Sequence, residues 1–269
     1  TAIPSWVYDA PLWVIVNSSA NPLTTPERTH ALAEITAMKD YYGFAPLVII
    51  YRWHANKMGD DWPDWSPISS DNATFISDIE ALGCKIVLYT HQQIWGAAST
   101  WFNASGTPPT NYLAATGNPA SSVVVDKDGV AVTVANAGET DGGGANVHGY
   151  ADFGDSAART HIVDQWVALR SANTKHHGHY VDAISSMHFP TNKAALATNQ
   201  RGAGSSRSIQ GIRTTYGTMR TQLEALDASF SLISETTSDL TADIFDAACV
   251  EPWTASLPNR HYAPVASIA

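Results

Sequence analysis

The chain has 269 residues, of which 44% are hydrophobic and 15% are charged, and its formal net charge is −10. This length can bury the core of one large domain, and the negative charge argues against a nucleic acid or an anionic membrane as a partner. No apolar run approaches the roughly 18 residues that would span a membrane, so the sequence predicts no membrane span.

The composition favours an exported protein that binds sugars. Charged residues are scarcer than the roughly 25% usual in soluble proteins, and we therefore expect an extracellular or secreted location. Nine Trp and ten Tyr suit stacking on flat, weakly charged ligands, although most aromatic side chains belong to protein cores. The first residue is Thr1 rather than Met, which suggests a processed product or a part of a larger chain or assembly. Sequons for N-glycosylation begin at Asn17, Asn72 and Asn103.

Short apolar runs alternate with helical stretches, which indicates βαβ units around a parallel sheet. The expected strands are Trp13–Val16, Leu47–Tyr51, Lys85–Tyr89, His179–Ile184 and Phe230–Ser234, with 242–248 as a short helix or a sixth strand. The expected helices cover about 25–42, 74–82, 155–170 and 208–226, the first with Thr25 as its N-cap and Gly43 closing it.

One segment, about 97–147, interrupts this alternation. It is rich in Gly, Asn, Ser and Thr, and two β-type runs within 123–134 flank an Asp128-Gly129 turn, which predicts a β-hairpin. We interpret 97–147 as an insertion on the loop face of a single domain over 1–269. The fold class is therefore α/β, a (β/α)8 TIM-barrel-like fold that is either complete or truncated, since only about six of eight strands are found.

In parallel α/β folds, ligands lie at the carboxyl ends of the strands, so the residues that follow each apolar run are the informative ones. Asp182 and Glu235 each follow such a run, and a buried unpaired carboxylate is costly. Two carboxyl groups flanking one bond are what glycosidic cleavage needs. Alternatively, Asp182 caps a helix or pairs with Arg207, and Asp239 takes the role of Glu235.

Polar and aromatic residues surround the predicted pair of acids. Sugars pack their C–H faces on indole rings, and their hydroxyl groups need polar partners. The expected substrate-binding residues are Arg52, Trp53, His54, Asp61, His91, Gln92, Trp95 and Asp239. The alternative for each Trp is that it anchors a loop by packing.

A histidine cluster precedes the fourth strand. Alternation along a strand would place His177 and His179 on one face and His176 on the other. The cluster lies at the opposite end from the expected site, and no metal or cofactor is predicted there or elsewhere.

Several motifs resemble those of a largely uncharacterised family of glycoside-hydrolase-like TIM-barrel proteins, distantly related to the α-galactosidase superfamily. The similar segments are Trp53-His-Ala-Asn56, Asp61-Trp-Pro-Asp-Trp-Ser-Pro67, Tyr89 to Trp95, Gly178-His-Tyr-Val-Asp-Ala-Ile-Ser185 and Ser234-Glu-Thr-Thr-Ser-Asp239. The resemblance covers roughly 45–250, apart from 97–147. It implies a glycosidase with Asp182 as nucleophile. Asp239 departs from the family pattern, which has Glu at that position.

The leading hypothesis is a glycoside hydrolase that cleaves O-glycosidic bonds in an oligosaccharide or polysaccharide with retention. Asp182 would attack the anomeric carbon, and Glu235 would protonate the leaving oxygen and then activate water. The alternative is a non-catalytic carbohydrate-binding or structural barrel of a larger extracellular, filament or phage assembly. A lyase or epimerase is a third option on this scaffold.

Overall fold

The computed structural model describes residues 3–17, 22–55, 68–92, 94–95, 133–135, 147–154, 156–182, 206–234 and 241–248. Five helices lie within these ranges: α1 (Ser5–Asp9), α2 (Thr25–Tyr42), α3 (Ser70–Ala81), α4 (Ser156–Ala172) and α5 (Ser206–Leu226). The strands there are β1 (Trp13–Val16), β2 (Leu47–Ile50), β3 (Lys85–Thr90), β4 (Ile94–Trp95), β5 (Thr133–Ala135), β6 (Val147–Tyr150), β7 (Gly178–Val181), β8 (Ser231–Ser234) and β9 (Ala247–Ala248). None of the helices in the described part of the chain has the length and apolarity to cross a membrane.

The main sheet has six parallel strands in the order β1-β2-β3-β7-β8-β9. It is curled into a half-barrel with helices, which is consistent with an incomplete TIM-barrel-like fold and confirms the α/β class. All five predicted strands are present, and the 242–248 segment, whose type the sequence left open, contributes β9. Helix α2 packs beside α3, and α4 packs beside α5.

The starts of two helices differ from their predicted positions, because local side-chain hydrogen bonds decide them. The N-cap of α2 is Thr24 rather than Thr25, since Glu27 closes a capping box with Thr24. Helix α3 begins before residue 74, because the Ser69 hydroxyl accepts a hydrogen bond from the Asn72 amide and caps an earlier turn. Gly43 ends α2 as predicted, in the left-handed conformation at φ 75°.

A second, antiparallel sheet has the strand order β4-β6-β5. Strand β5 pairs with β6 through Thr133 and Gly149, and β4 pairs with β6 through Trp95 and Gly149. The predicted hairpin around the Asp128-Gly129 turn lies outside the described residues except for its last positions. The boundaries of the single domain and of the 97–147 insertion remain predictions.

The two faces of the main sheet have different neighbours. His179 of β7 lies with its ring centroid 4.3 Å from that of Trp166 on α4, so its face of the sheet is covered by helices. Side chains alternate along a strand, so Tyr180 projects to the other face, where its ring lies beside that of Tyr89 on β3. This second face is the concave one, and the residues that continue it beyond the strand ends are the ones that can meet a ligand.

Candidate active site

The candidate site lies where β2, β3, β7 and β8 end, at one edge of the main sheet. Parallel strands that are paired in register bring their carboxyl ends together. The pairs Ile50–Leu88, Thr90–Val181 and Val181–Ser234 fix this edge. The residues that follow these strands are the ones that the sequence selected as catalytic or substrate-binding.

Asp182 directly follows β7 and continues its ladder, because its backbone amide donates a hydrogen bond to the carbonyl oxygen of Thr90 over 2.9 Å. Its side chain is half-buried, and its Oδ2 accepts a hydrogen bond from the Tyr89 hydroxyl. The carboxylate therefore lies at the rim of the concave face and is held by the hydroxyl of Tyr89 on the neighbouring strand. A carboxylate held in this way is fixed in position while its side chain remains partly exposed.

The residues after β2 form a turn that is hydrogen-bonded to α3. Arg52 has a left-handed backbone at φ 53°, which is unusual for a residue with a side chain. The fully buried side-chain amide of Asn72 donates to the carbonyl oxygens of Arg52 and Trp53 over 3.1 and 2.8 Å. His54 is buried at the edge of the Trp53 ring and forms a bridge with Ile68.

The indole of Trp53 is fully buried, and its Nε1 donates to the carbonyl oxygen of Tyr89 over 2.7 Å. Trp95 is also fully buried, and its Nε1 donates to the carbonyl oxygen of Gln92 over 3.1 Å. Both indoles support the wall of the site in this structure. A direct sugar contact by either ring remains a prediction.

Beyond β3, His91 and Gln92 are buried at the same edge. The Gln92 side-chain oxygen accepts a hydrogen bond from the Tyr216 hydroxyl of α5 over 3.3 Å. Burial raises the pKa of Tyr216 far above its usual range, so this hydroxyl stays protonated and can act as a donor at any physiological pH. Gln92 thereby connects the end of β3 to the helical layer.

Three of the predicted site residues, Asp61, Glu235 and Asp239, lie outside the described residues. The residue before Glu235 in the sequence is Ser234, the last of β8, and its register partner is Val181, which precedes Asp182. The strands that precede the two predicted acids, β7 and β8, are therefore paired directly, and both end at the Val181–Ser234 pair.

The histidines at the opposite end of the sheet differ from the prediction. His176 and His179 contact each other through their Nε2 atoms, 3.0 Å apart, whereas alternation had paired His177 with His179. Alternation fails because β7 begins at Gly178, so His176 and His177 precede the strand. Within the described residues, no group of three or more His, Cys, Asp or Glu side chains is arranged to hold a metal ion.

A comparison of the sequence with protein families gives one decisive match. The family described as "Domain of unknown function (DUF6259)" matches residues 1–139, about half of the 269-residue chain. The chain belongs to the DUF6259 family. No curated protein matches its sequence.

Solved structures similar to this DUF6259 chain are glycoside hydrolases. An alpha-N-acetylgalactosaminidase, NagBb from Bifidobacterium bifidum, superposes with a TM-score of 0.57 at 10% identity, over 87% of this chain and 37% of its own. The GH31 dextranase FjDex31A of Flavobacterium johnsoniae gives 0.56 at 12%, over 91% and 27%. The alpha-galactosidase TtGalA of Thermus thermophilus gives 0.53 at 15%, over 88% and 40%.

These similarities establish a glycosidase-like fold for the DUF6259 chain. At such identities they show the fold alone. The chain spans well under half the length of each of these three enzymes. The expected resemblance to glycoside-hydrolase-like barrels is therefore confirmed at the level of fold.

Two residues of the candidate site were not identified from the sequence. From the sequence, Tyr89 was identified only as part of the third strand and of the family-like segment Tyr89 to Trp95. In the structure its hydroxyl donates a hydrogen bond to Asp182. Asn72 was interpreted only as a sequon, yet its buried amide fixes the turn after β2. Alternation could have placed Tyr89 on the concave face, but no sequence signal marks Asn72, which lies about 20 residues from the carbonyls it binds.

Proposed function

We propose that this chain forms the barrel region of a retaining glycoside hydrolase with Asp182 as nucleophile and Glu235 as general acid and base. The observation that carries the proposal is the pairing of β7 with β8 in register up to Val181 and Ser234. Each of these residues is followed in the sequence by one of the two acids. The expected location is extracellular.

The spacing of neighbouring strands favours retention of anomeric configuration. Strands in a sheet lie about 4.7–4.9 Å apart. Retaining glycosidases hold their carboxyl groups about 5–5.5 Å apart, whereas inverting enzymes leave about 6.5–9.5 Å for a water molecule. Acids that follow directly on two adjacent strands match the shorter distance.

The chemistry follows in two steps. An oxygen of Asp182 forms a bond to the anomeric carbon while the bond to the leaving oxygen breaks, and Glu235 gives that oxygen its proton. Water then attacks the anomeric carbon, Glu235 takes the proton, and the bond to Asp182 breaks with its electron pair returning to the carboxylate. The residues after β2 and β3, including Arg52, His54 and His91, would bind the sugar hydroxyl groups.

The substrate class that we propose is a neutral α-glycoside, in an oligosaccharide or a polysaccharide. Two of the structures with this fold are named as an alpha-N-acetylgalactosaminidase and an alpha-galactosidase. The net charge of −10 disfavours an anionic sugar. A neutral ligand also suits a site edge built from tyrosine, tryptophan, histidine and amide side chains.

The test is an assay of the 269-residue chain against a panel of p-nitrophenyl α- and β-glycosides, beginning with p-nitrophenyl α-D-galactopyranoside and the corresponding N-acetylgalactosaminide. We expect hydrolysis in which the first product has the anomeric configuration of the substrate, observed by NMR. Asp182→Asn and Glu235→Gln should each lower turnover by several powers of ten. Asp243→Asn, the same change at an exposed carboxylate, is the control and should leave turnover unchanged.

Two results would contradict the proposal. Wild-type turnover in the Asp182→Asn variant would show that Asp182 is not the nucleophile. Binding of glycans without cleavage of any of them would instead favour the non-catalytic carbohydrate-binding barrel.

A further inference from the structure

Three tyrosines form one row across the concave face, directly below the rim that carries Asp182. Tyr89 of β3 and Tyr180 of β7 are register partners, and Tyr51 follows β2 at the next level after the Ile50–Leu88 pair. The rings of Tyr51 and Tyr89 are stacked with centroids 3.9 Å apart and planes 20° apart. The ring of Tyr180 lies 6.0 Å from that of Tyr89 at 25°.

Tyr89 is the member of this row that contacts the acid. Its hydroxyl donates a hydrogen bond to Oδ2 of Asp182, on the neighbouring strand. Only 3% of Tyr89 is exposed, and its carbonyl oxygen accepts the indole N–H of Trp53. Because backbone and ring are both held, the hydroxyl is a donor in a fixed position rather than a mobile surface group.

We infer, on the basis of the proposed function, that Tyr89 is a positioning residue that holds Asp182 through Oδ2 and assists its release from the sugar. In this assignment Oδ1 bonds the anomeric carbon while Oδ2 keeps the hydrogen bond from Tyr89. In the covalent intermediate, Oδ2 is then the ester carbonyl oxygen that accepts the tyrosine hydrogen bond.

The second chemical step gains most from this hydrogen bond. When water attacks the anomeric carbon, the bond from that carbon to Oδ1 breaks, and negative charge returns to the carboxylate. A donor on Oδ2 stabilises the charge as it develops, since hydrogen bonds to charged acceptors are stronger than those to neutral ones. In the first step the carboxylate loses charge, so the same donor gives little help there.

This role is separable from a purely structural one. A tyrosine that only fills the core would, when altered, disturb the placement of Asp182 in both steps, and kcat and kcat/KM would fall together. A tyrosine that assists release would, when altered, slow the second step, so the covalent intermediate would accumulate. In that case KM falls together with kcat, and product appears in a burst.

The experiment compares Tyr89→Phe with the wild-type chain, using the 2,4-dinitrophenyl glycoside of the sugar that the wild type hydrolyses fastest. Phenylalanine keeps the ring stacked on Tyr51 and removes only the hydroxyl. We expect kcat to fall about tenfold to a hundredfold, the effect of losing one hydrogen bond to a charged group. KM should fall as well, kcat/KM should fall less, and a burst should approach one dinitrophenolate per enzyme.

Tyr8→Phe is the control, because it removes the hydroxyl that donates to the Ile3 carbonyl at the opposite end of the sheet. It should leave kcat, KM and the size of any burst as in the wild type. Thermal unfolding followed by circular dichroism checks that both variants are folded.

The outcomes separate the two proposals. If Asp182→Asn is inactive while Tyr89→Phe has wild-type kcat, or loses kcat and kcat/KM equally without a burst, the role of Tyr89 is wrong and the proposed function stands. If the wild-type chain hydrolyses no glycoside, or Asp182→Asn retains turnover, both proposals are wrong.

Discussion

His176 and His179 lie against each other in the core at the amino end of the sheet, with their Nε2 atoms 3.0 Å apart and their ring planes 8° apart. Both side chains are fully buried. The ring of Phe230 lies edge-on to both histidines, and that of Trp166 lies edge-on to His179. One ring nitrogen must donate to the other, so the pair is satisfied only when at least one ring is neutral. Arg170 adds a nearby positive charge that opposes protonation of either ring.

The first prediction concerns acid stability. Burial lowers the pKa of His176 from 6.5 to about 3, and burial with the neighbouring His176 and Arg170 holds the pKa of His179 well below 6.5. At pH values between the lowered native pKa of each histidine and its usual value of 6.5, the unfolded chain binds a proton that the native chain does not bind. The stabilising effect of the neutral pair is therefore complete above about pH 6.5 and is lost as the pH falls, by about 1.4 kcal/mol per pH unit for each histidine.

Urea unfolding between about pH 7 and about pH 4.5 measures this effect. The double variant His176→Leu with His179→Leu should lose less stability over that range than the wild type. His30→Gln, a change at an exposed histidine of α2, should behave as the wild type does. Equal pH dependence in the double variant and the wild type would show that the pair does not titrate as described.

The second prediction concerns close packing between α5 and the segment before α4. A Cβ atom added at Gly211 would lie 1.7 Å from the carbonyl oxygen of Phe153, which is backbone and cannot move aside easily. Gly211→Ala should therefore lower the free energy of unfolding by about 3 kcal/mol or more. Chemical denaturation gives this value directly.

Gly217 provides the matched control on the same helix. A Cβ at Gly217 meets no atom within 4 Å, so alanine there should raise stability by about 0.5–1 kcal/mol through helix propensity. A similar response of the two glycines would show that α5 does not approach Phe153 as the structure has it.

The third prediction concerns a buried ion pair. Arg220 of α5 donates to Asp246 over 2.7 Å, and Asp246 is 1% exposed and also accepts the Leu232 amide. Arg220→Met keeps most of the side-chain volume but leaves a buried carboxylate without its cation. It should cost about 3–5 kcal/mol in the free energy of unfolding.

Arg213→Met is the comparison for this change. Arg213 pairs with Asp243 through two hydrogen bonds, but both groups are on the surface, where water screens the attraction. The midpoint of urea unfolding should stay the same in this variant. A comparable loss in both arginine variants would contradict a special role for burial.

The order of strands and helices could be predicted from the sequence, because short apolar runs and helical periodicity are local signals. Helix α1 was missed, since five residues give too short a pattern. The prediction that His177 and His179 share a face, with His176 on the other, was wrong. It applied strand alternation to residues that precede the strand, which begins only at Gly178. The burial of Trp53 and Trp95 could not be predicted either, since an aromatic residue after a strand suits a loop anchor and a ligand platform equally.

By itself, the sequence determined that the chain forms a parallel α/β sheet and that Asp182 stands at the end of a strand, because these features depend on runs of neighbouring residues. Only the tertiary structure decided which strands lie side by side and which side chains meet. The hydroxyl of Tyr89 reaches an acid 93 positions away, and Arg220 reaches one 26 positions away. Such contacts arise when packing brings distant segments together, and no local pattern in the chain encodes them.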